Sequence, residues 1–154
     1  MAEEHNIIKI LLVEDNPDDI DITKRALKEA KVINKLWIAR DGQEALDFLK
    51  HEGDYKDLSS SPKPGLILLD INLPKLNGID VLRAIKKDSN LKRIPVVMLT
   101  VSKRDEDIIK SYDNGCNSFI QKPVNFENFV EVVKEVSLYW GLLNIFSPNG
   151  QEKE

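Results

Sequence analysis

LILLDINLPKLNG, residues 66–78, sets four apolar residues directly before an acid, Asp70, and follows the acid with a short turn. An unbroken apolar run has no polar side, so a strand built from it is buried on both faces, as in a parallel sheet. Working outward, two further segments have the same character: IIKILLVE (residues 7–14) and IPVVMLT (residues 94–100). KLWIAR (residues 35–40) and NSFIQ (residues 117–121) read as weaker strands. Helical patterns lie between them, over residues 18–30, 42–50, 78–87 and 102–114, with a last helix starting near Asn125. In the third of these, Ile79, Leu82 and Ile85 recur at helical spacing, and Gly115 is a plausible stop for the fourth. Asn125 suits an N-cap. Strands alternating with helices predict a doubly wound α/β domain around a five-stranded parallel sheet. EGDYKDLSSSPKP, residues 52–64, is long and polar and is expected to be a surface loop, too short for a domain linker.

Composition agrees with one folded domain. The chain has 154 residues, 42% hydrophobic and 31% charged, enough to bury a core without disulfides or metals. A net charge of −4 argues against nucleic acid as the main partner, because phosphate binding wants a basic face. The single cysteine, Cys116, forms no internal disulfide and belongs to no zinc pattern; it is expected to be a buried or half-buried small residue. His5 and His51 lack neighbouring ligands and read as surface residues. The N-terminal MAEEHNIIKILLVED is too short in its apolar part, and too acidic before it, for a signal peptide or membrane span, so a cytoplasmic location is expected.

The acids fall at the strand ends. The first strand ends in Glu14-Asp15, the third in Asp70, the fourth in Thr100, and Lys122-Pro123 follows the fifth. Ligands of open α/β sheets bind outside the carboxyl ends of the strands, so these side chains are expected to converge. Crowded carboxylates raise one another's pKa unless a cation neutralises them. A hard divalent ion with oxygen ligands fits, and Mg2+ suits best because it keeps waters for a phosphate. Lys122 and Thr100 would then supply charge and a hydroxyl to phosphoryl oxygens, and a carboxylate such as Asp70 can itself be the nucleophile. Alone, Asp70 reads more readily as an acid that ends a strand and caps a turn with Asn72 and Pro74; the convergence of five groups favours the chemical reading.

ILLVEDNPDD, LILLDINLPKLNGIDVLRAIK, IPVVMLT and FIQKPV, taken together, resemble the receiver domain of two-component response regulators, over residues 7–139. The resemblance implies a flavodoxin-like (βα)5 fold. It implies that Asp70 accepts a phosphoryl group from a phosphohistidine of a sensor histidine kinase. Asp15, with Glu14 acting through water, would hold Mg2+ together with Asp70 and the backbone carbonyl of Asn72. Thr100 and Lys122 would bind phosphoryl oxygens, Phe119 would be the aromatic switch, and the Lys122–Pro123 bond would be cis. Glu14 stands where many members carry Asp. Val101 follows Thr100 where a small residue is common, which bears on rates. Phe119 lacks a tyrosine's hydroxyl. VEDNPDDIDITKRAL, ARDGQEALDFL and the long loop resemble, more narrowly, the stand-alone regulators that pair with bacterial phytochromes.

No second domain is expected; residues 1–140 would be the receiver and residues 141–154 an apolar extension. Signalling would then run through the surface formed by the fourth helix, the fifth strand and the last helix. In the last helix, Phe126, Phe129, Val130, Val133 and Trp140 form a stripe expected to face the core. Val132, Val136, Tyr139 and Leu143 form a second stripe, continued by Leu142, Ile145 and Phe146. That stripe suggests a homodimer through the last helix and extension, or a tail folded back on its own domain. A membrane surface is disfavoured by the lack of clustered lysines. Two other functions compete. A haloacid dehalogenase-type phosphatase would need an acid two positions after Asp70, where Asn72 stands. A non-phosphorylated pseudo-receiver would have lost an acid, the threonine or the lysine, all of which this chain keeps.

Overall fold

The structure is a computed structural model that describes residues 7–30, 34–57, 61–105 and 118–140, with backbone alone for residues 136–140. Five strands, β1 (Ile8–Val13), β2 (Asn34–Ala39), β3 (Leu66–Asp70), β4 (Val96–Thr100) and β5 (Ser118–Gln121), form one sheet in the order β2-β1-β3-β4-β5. All four pairings are parallel. The helices whose full span lies within the described residues are α1 (Pro17–Glu29), α2 (Gly42–Lys50), α3 (Gly78–Lys87) and α4 (Phe126–Trp140). This strand order is that of the flavodoxin-like doubly wound fold, as expected.

The unbroken apolar runs are explained by two cores. Leu11, Val13, Ile67, Leu69, Val96 and Met98 point to the side covered by α2 and α3. Ile10, Leu12, Leu66, Leu68, Val97 and Leu99 point to the side covered by α1 and α4. Successive side chains of a strand alternate between faces, so a strand covered on both sides has no position left for a polar residue. Every residue of β3 and β4 is buried, and both strands end on a polar one, Asp70 and Thr100.

Helix starts follow local chemistry. Asn16 caps α1, accepting from the amides of Asp18 and Asp19, with Pro17 in the first helical position. Asp41 caps α2 and Asn77 caps α3. Asn125 caps α4 reciprocally: its Oδ1 accepts from the Asn128 amide at 2.8 Å, and Asn128 Oδ1 accepts from the Asn125 amide at 2.9 Å.

Two expectations need correction. The core face of α4 is Phe129, Val132 and Val133, whereas Phe126 is exposed. Val132 therefore belongs to the core and not to a free second stripe. Phe126 opens the helix, one turn ahead of the residues that reach the sheet. The segment 52–64 is also more than a surface loop. It contains a 3-10 turn, Gly53–Tyr55, whose tyrosine packs edge-on to Phe48 at 5.2 Å. Ser61 is fully buried and lies 2.9 Å from Nδ1 of His51, so that histidine is half-buried, not free on the surface. Expectations for His5, Cys116, Val136, Tyr139, Trp140, Leu142, Leu143, Ile145, Phe146 and most of the 102–114 helix lie outside the described residues and side chains.

Candidate functional site

The carboxyl ends of β1, β3, β4 and β5 bring the expected side chains together. Carboxylate oxygens of Glu14, Asp15 and Asp70 lie within 4.8 Å of one another. Glu14 and Asp70 are 0% and 2% exposed, while Asp15 is open to solvent. Asp70 Oδ1 accepts from the Asn72 amide at 3.3 Å, so the turn after β3 fixes the carboxylate's rotation.

Tight packing holds that turn. The Gly78 amide donates to the Ile71 carbonyl at 2.9 Å, and a Cβ on Gly78 would lie 2.3 Å from the Asp70 carbonyl oxygen. Any side chain there would displace the backbone that carries the acid. On the other flank, a Cβ on Gly42 would meet the Leu76 carbonyl oxygen at 2.2 Å. Lys75, at the tip of the turn, adopts a left-handed φ of 67°.

Lys122 enters from the end of β5. Its amide donates to the Thr100 carbonyl at 2.6 Å, and the Lys122–Pro123 bond is cis, as expected. Its Nζ lies 2.9 Å from Glu14 Oε1, 2.9 Å from Asp19 Oδ2 and 3.2 Å from Asp70 Oδ2. The Glu14 approach is close but poorly directed for a hydrogen bond, so it counts as a charge contact. Burial alone would lower the Lys122 pKa; contacts with Glu14 and Asp19 and the charge of Asp70 outweigh it and hold the ammonium well above the ordinary lysine value. Burial pushes Glu14 up to about 7, against the Lys122 contact and with the help of the Asp70 charge.

Thr100 is fully buried at the end of β4, and its Oγ1 has no hydrogen-bond partner among the described residues. A buried hydroxyl left without an acceptor costs about 1–3 kcal/mol. It therefore stands ready for an incoming oxygen. Phe119, paired in register with Met98, is half-buried against the α2–α3 core. Val101, one residue past Thr100, is exposed at the mouth of the site.

Asp19 was not among the residues expected here. Its NPDD context reads as a helix start, which absorbs both acids, and Lys122 is 103 positions away. Two consecutive acids, where one suffices for the helix dipole, are the sole hint the sequence offers.

The acids and the buried hydroxyl fit a small divalent cation beside a phosphoryl group: oxygen donors for the ion, a hydroxyl and an ammonium for the anion. Among the described residues, no helix is long and apolar enough to cross a membrane.

The model of the response regulator receiver domain matches residues 10–134. Response regulator Rcp1 of Synechocystis sp. is 42% identical over 141 residues, spanning 91% of this chain and 94% of that protein. A structure of Rcp1 in an Mn2+-bound form superposes with a TM-score of 0.68 at 41% identity, covering 86% of this chain and 94% of that one. The bacteriophytochrome response regulator RtBRR gives a TM-score of 0.81 at 42% identity, covering 87% and 80% of the two chains. The phosphorylated cyanobacterial phytochrome response regulator RcpA gives 0.69 at 44%, covering 86% and 93%. With match and fold spanning most of its length, the chain belongs to the response regulator receiver domain family of two-component signalling.

Proposed function

We propose that this chain is a phosphorylation-controlled switch whose phosphoacceptor is Asp70. The observation that carries the reading is the convergence of buried Asp70, Glu14 and Thr100 with half-buried Lys122 on one sheet edge, with Asp15 open beside them. An Asp70 carboxylate oxygen attacks the phosphorus of a phosphohistidine on a sensor histidine kinase. A P–O bond forms and the P–N bond breaks, and its electron pair stays on the imidazole nitrogen, which takes up a proton. Glu14, through water, Asp15, Asp70 and the Asn72 carbonyl would hold Mg2+, which neutralises phosphoryl charge. Mn2+ in the Rcp1 structure supports a divalent ion. Lys122 and Thr100 take the remaining phosphoryl oxygens. The chain is then no turnover enzyme; it catalyses only its own phosphorylation and dephosphorylation.

The switch follows from Thr100. Its unpartnered hydroxyl turns to the phosphoryl oxygen, Phe119 moves into the space behind it, and the surface of the helix expected over residues 102–114, β5 and α4 changes. The names of RtBRR and RcpA support a phytochrome-like kinase as partner. Residues 1–140 form the receiver; α4 and the extension 141–154 form a homodimer contact, and the protein acts in the cytoplasm.

The test is incubation with acetyl phosphate, with and without Mg2+, read by intact mass. The expected result is a phosphoryl-sized gain that requires Mg2+. No gain, under conditions that modify a known receiver, would leave a non-phosphorylated interaction module. Thr100→Ala should still be phosphorylated but lose most of the amide-shift change around Phe119 seen by NMR. A full response in that variant would sink the Thr100 coupling.

A further inference from the structure

The Lys122 ammonium has three N–H donors and three carboxylates around it, and its two shortest contacts, both 2.9 Å, are to Glu14 and Asp19. Asp70 is the longest of the three at 3.2 Å. Glu14 and Asp70 belong to the cluster that suits a cation; Asp19 does not. It comes instead from the first turn of α1, where its backbone amide is fixed by Asn16 Oδ1 at 3.1 Å, and its side chain is 29% exposed. A rigid backbone thus aims a carboxylate at the lysine from outside the reacting groups. Asp18, its neighbour in the same turn, is exposed.

We propose that Asp19 is a positioning residue, a latch that retains the Lys122 ammonium in the resting state and competes with incoming phosphoryl oxygens for it. The inference rests on the reading of Asp70 as phosphoacceptor. When Glu14 turns to a cation and Asp70 becomes the acyl phosphate, two of the three resting contacts of Lys122 are remade. Asp19 is unchanged by the chemistry and remains as competitor. It neutralises part of the lysine charge and repels the anionic donor. Asparagine at position 19 keeps the shape and an acceptor but removes the charge, so Lys122 is released to the donor.

The experiment measures the rate of phosphorylation by acetyl phosphate with Mg2+, by intact mass, in wild type, Asp19→Asn, Asp19→Glu and Asp18→Asn, and again with Lys122→Gln beneath each. A part-exposed ion pair of ordinary strength corresponds to about fivefold, so Asp19→Asn should react about five times faster than wild type. Asp19→Glu, which keeps the charge, and Asp18→Asn, which changes net charge equally but touches no lysine, should stay near the wild-type rate. With Lys122→Gln the gain from Asp19→Asn should vanish, since the latch acts through that lysine. The latch is overturned by an Asp19→Asn rate equal to or below wild type. It is equally overturned by a gain that persists in the Lys122→Gln background, or by the same gain in Asp18→Asn or Asp19→Glu. A wild type that gains no phosphoryl group removes the acceptor reading and the latch with it, whereas a phosphorylated wild type with no faster Asp19→Asn removes the latch alone.

Discussion

Asp70→Asn is expected to abolish the phosphoryl gain entirely while leaving the protein folded. The amide is no nucleophile at phosphorus, and no second carboxylate can take over in the same geometry. Glu14 is fully buried and faces Lys122 and the Asn16 amide, and Asp15 opens to solvent. Asparagine fills the same volume and can still accept from the Asn72 amide, which Asp70 Oδ1 now does. Lys122 keeps Glu14 and Asp19 as partners, so removing one acid leaves no unpaired buried charge. One cation among several crowded acids is short of positive charge, so losing an acid should raise metal-free stability. The rise in melting temperature on adding Mg2+ should shrink in the variant, because one oxygen donor is gone. Mass spectra and thermal melts of the two proteins, with Mg2+ and with a chelator, check both parts. A variant that still gains a phosphoryl group would move the acceptor elsewhere; one that fails to fold would show that the acid is structural.

How far such a site can be read before any coordinates depends on the range of the interaction. Glu14, Asp15, Asp70, Thr100 and Lys122 were legible because each ends or follows its own apolar run, and a parallel sheet brings all such ends to one edge. The cis bond after Lys122 came only with the family resemblance. Asp19 was hidden, since its local role as the third residue of a capped helix accounts for it completely, and its partner follows the last strand. The α4 face was misjudged for a geometric reason. Residues 126, 129, 130 and 133 and residues 129, 132 and 133 both satisfy helical spacing; only the angle at which the helix crosses the sheet decides between them. Ser61 and Tyr55 were missed because polar composition says little about a loop whose few buried groups satisfy one another.

Metal-free stability should fall as pH rises from about 5 to 8, and Glu14→Gln should remove that fall. Glu14 is buried, which pushes its carboxyl up to about 7 from the ordinary 4.5, the Lys122 contact opposing and the Asp70 charge adding to the rise. A folded-state pKa above the unfolded one means that the native protein holds a proton, between these two values, that the unfolded chain has released. The stabilisation is thus complete below pH 4.5, declines as pH rises through about 7, and is gone above. With each pH unit between the two values the native protein loses about 1.4 kcal/mol at most, so the effect of this group is on the order of a few kcal/mol. Glutamine is neutral at every pH and nearly isosteric, so the melting temperatures of wild type and variant should converge near pH 5 and separate by pH 8, the variant higher. Subtracting the variant curve removes the contribution of the titrating groups that do not interact with Glu14. A cation reverses the sign: it requires Glu14 ionised, so Mg2+ affinity should climb about tenfold per pH unit below 7 and level above it. Mg2+ should accordingly restore at pH 8 the stability that the chelated protein loses there. Parallel melting curves for wild type and Glu14→Gln across this range would show that Glu14 carries no shifted proton and that its burial is compensated by Lys122 alone.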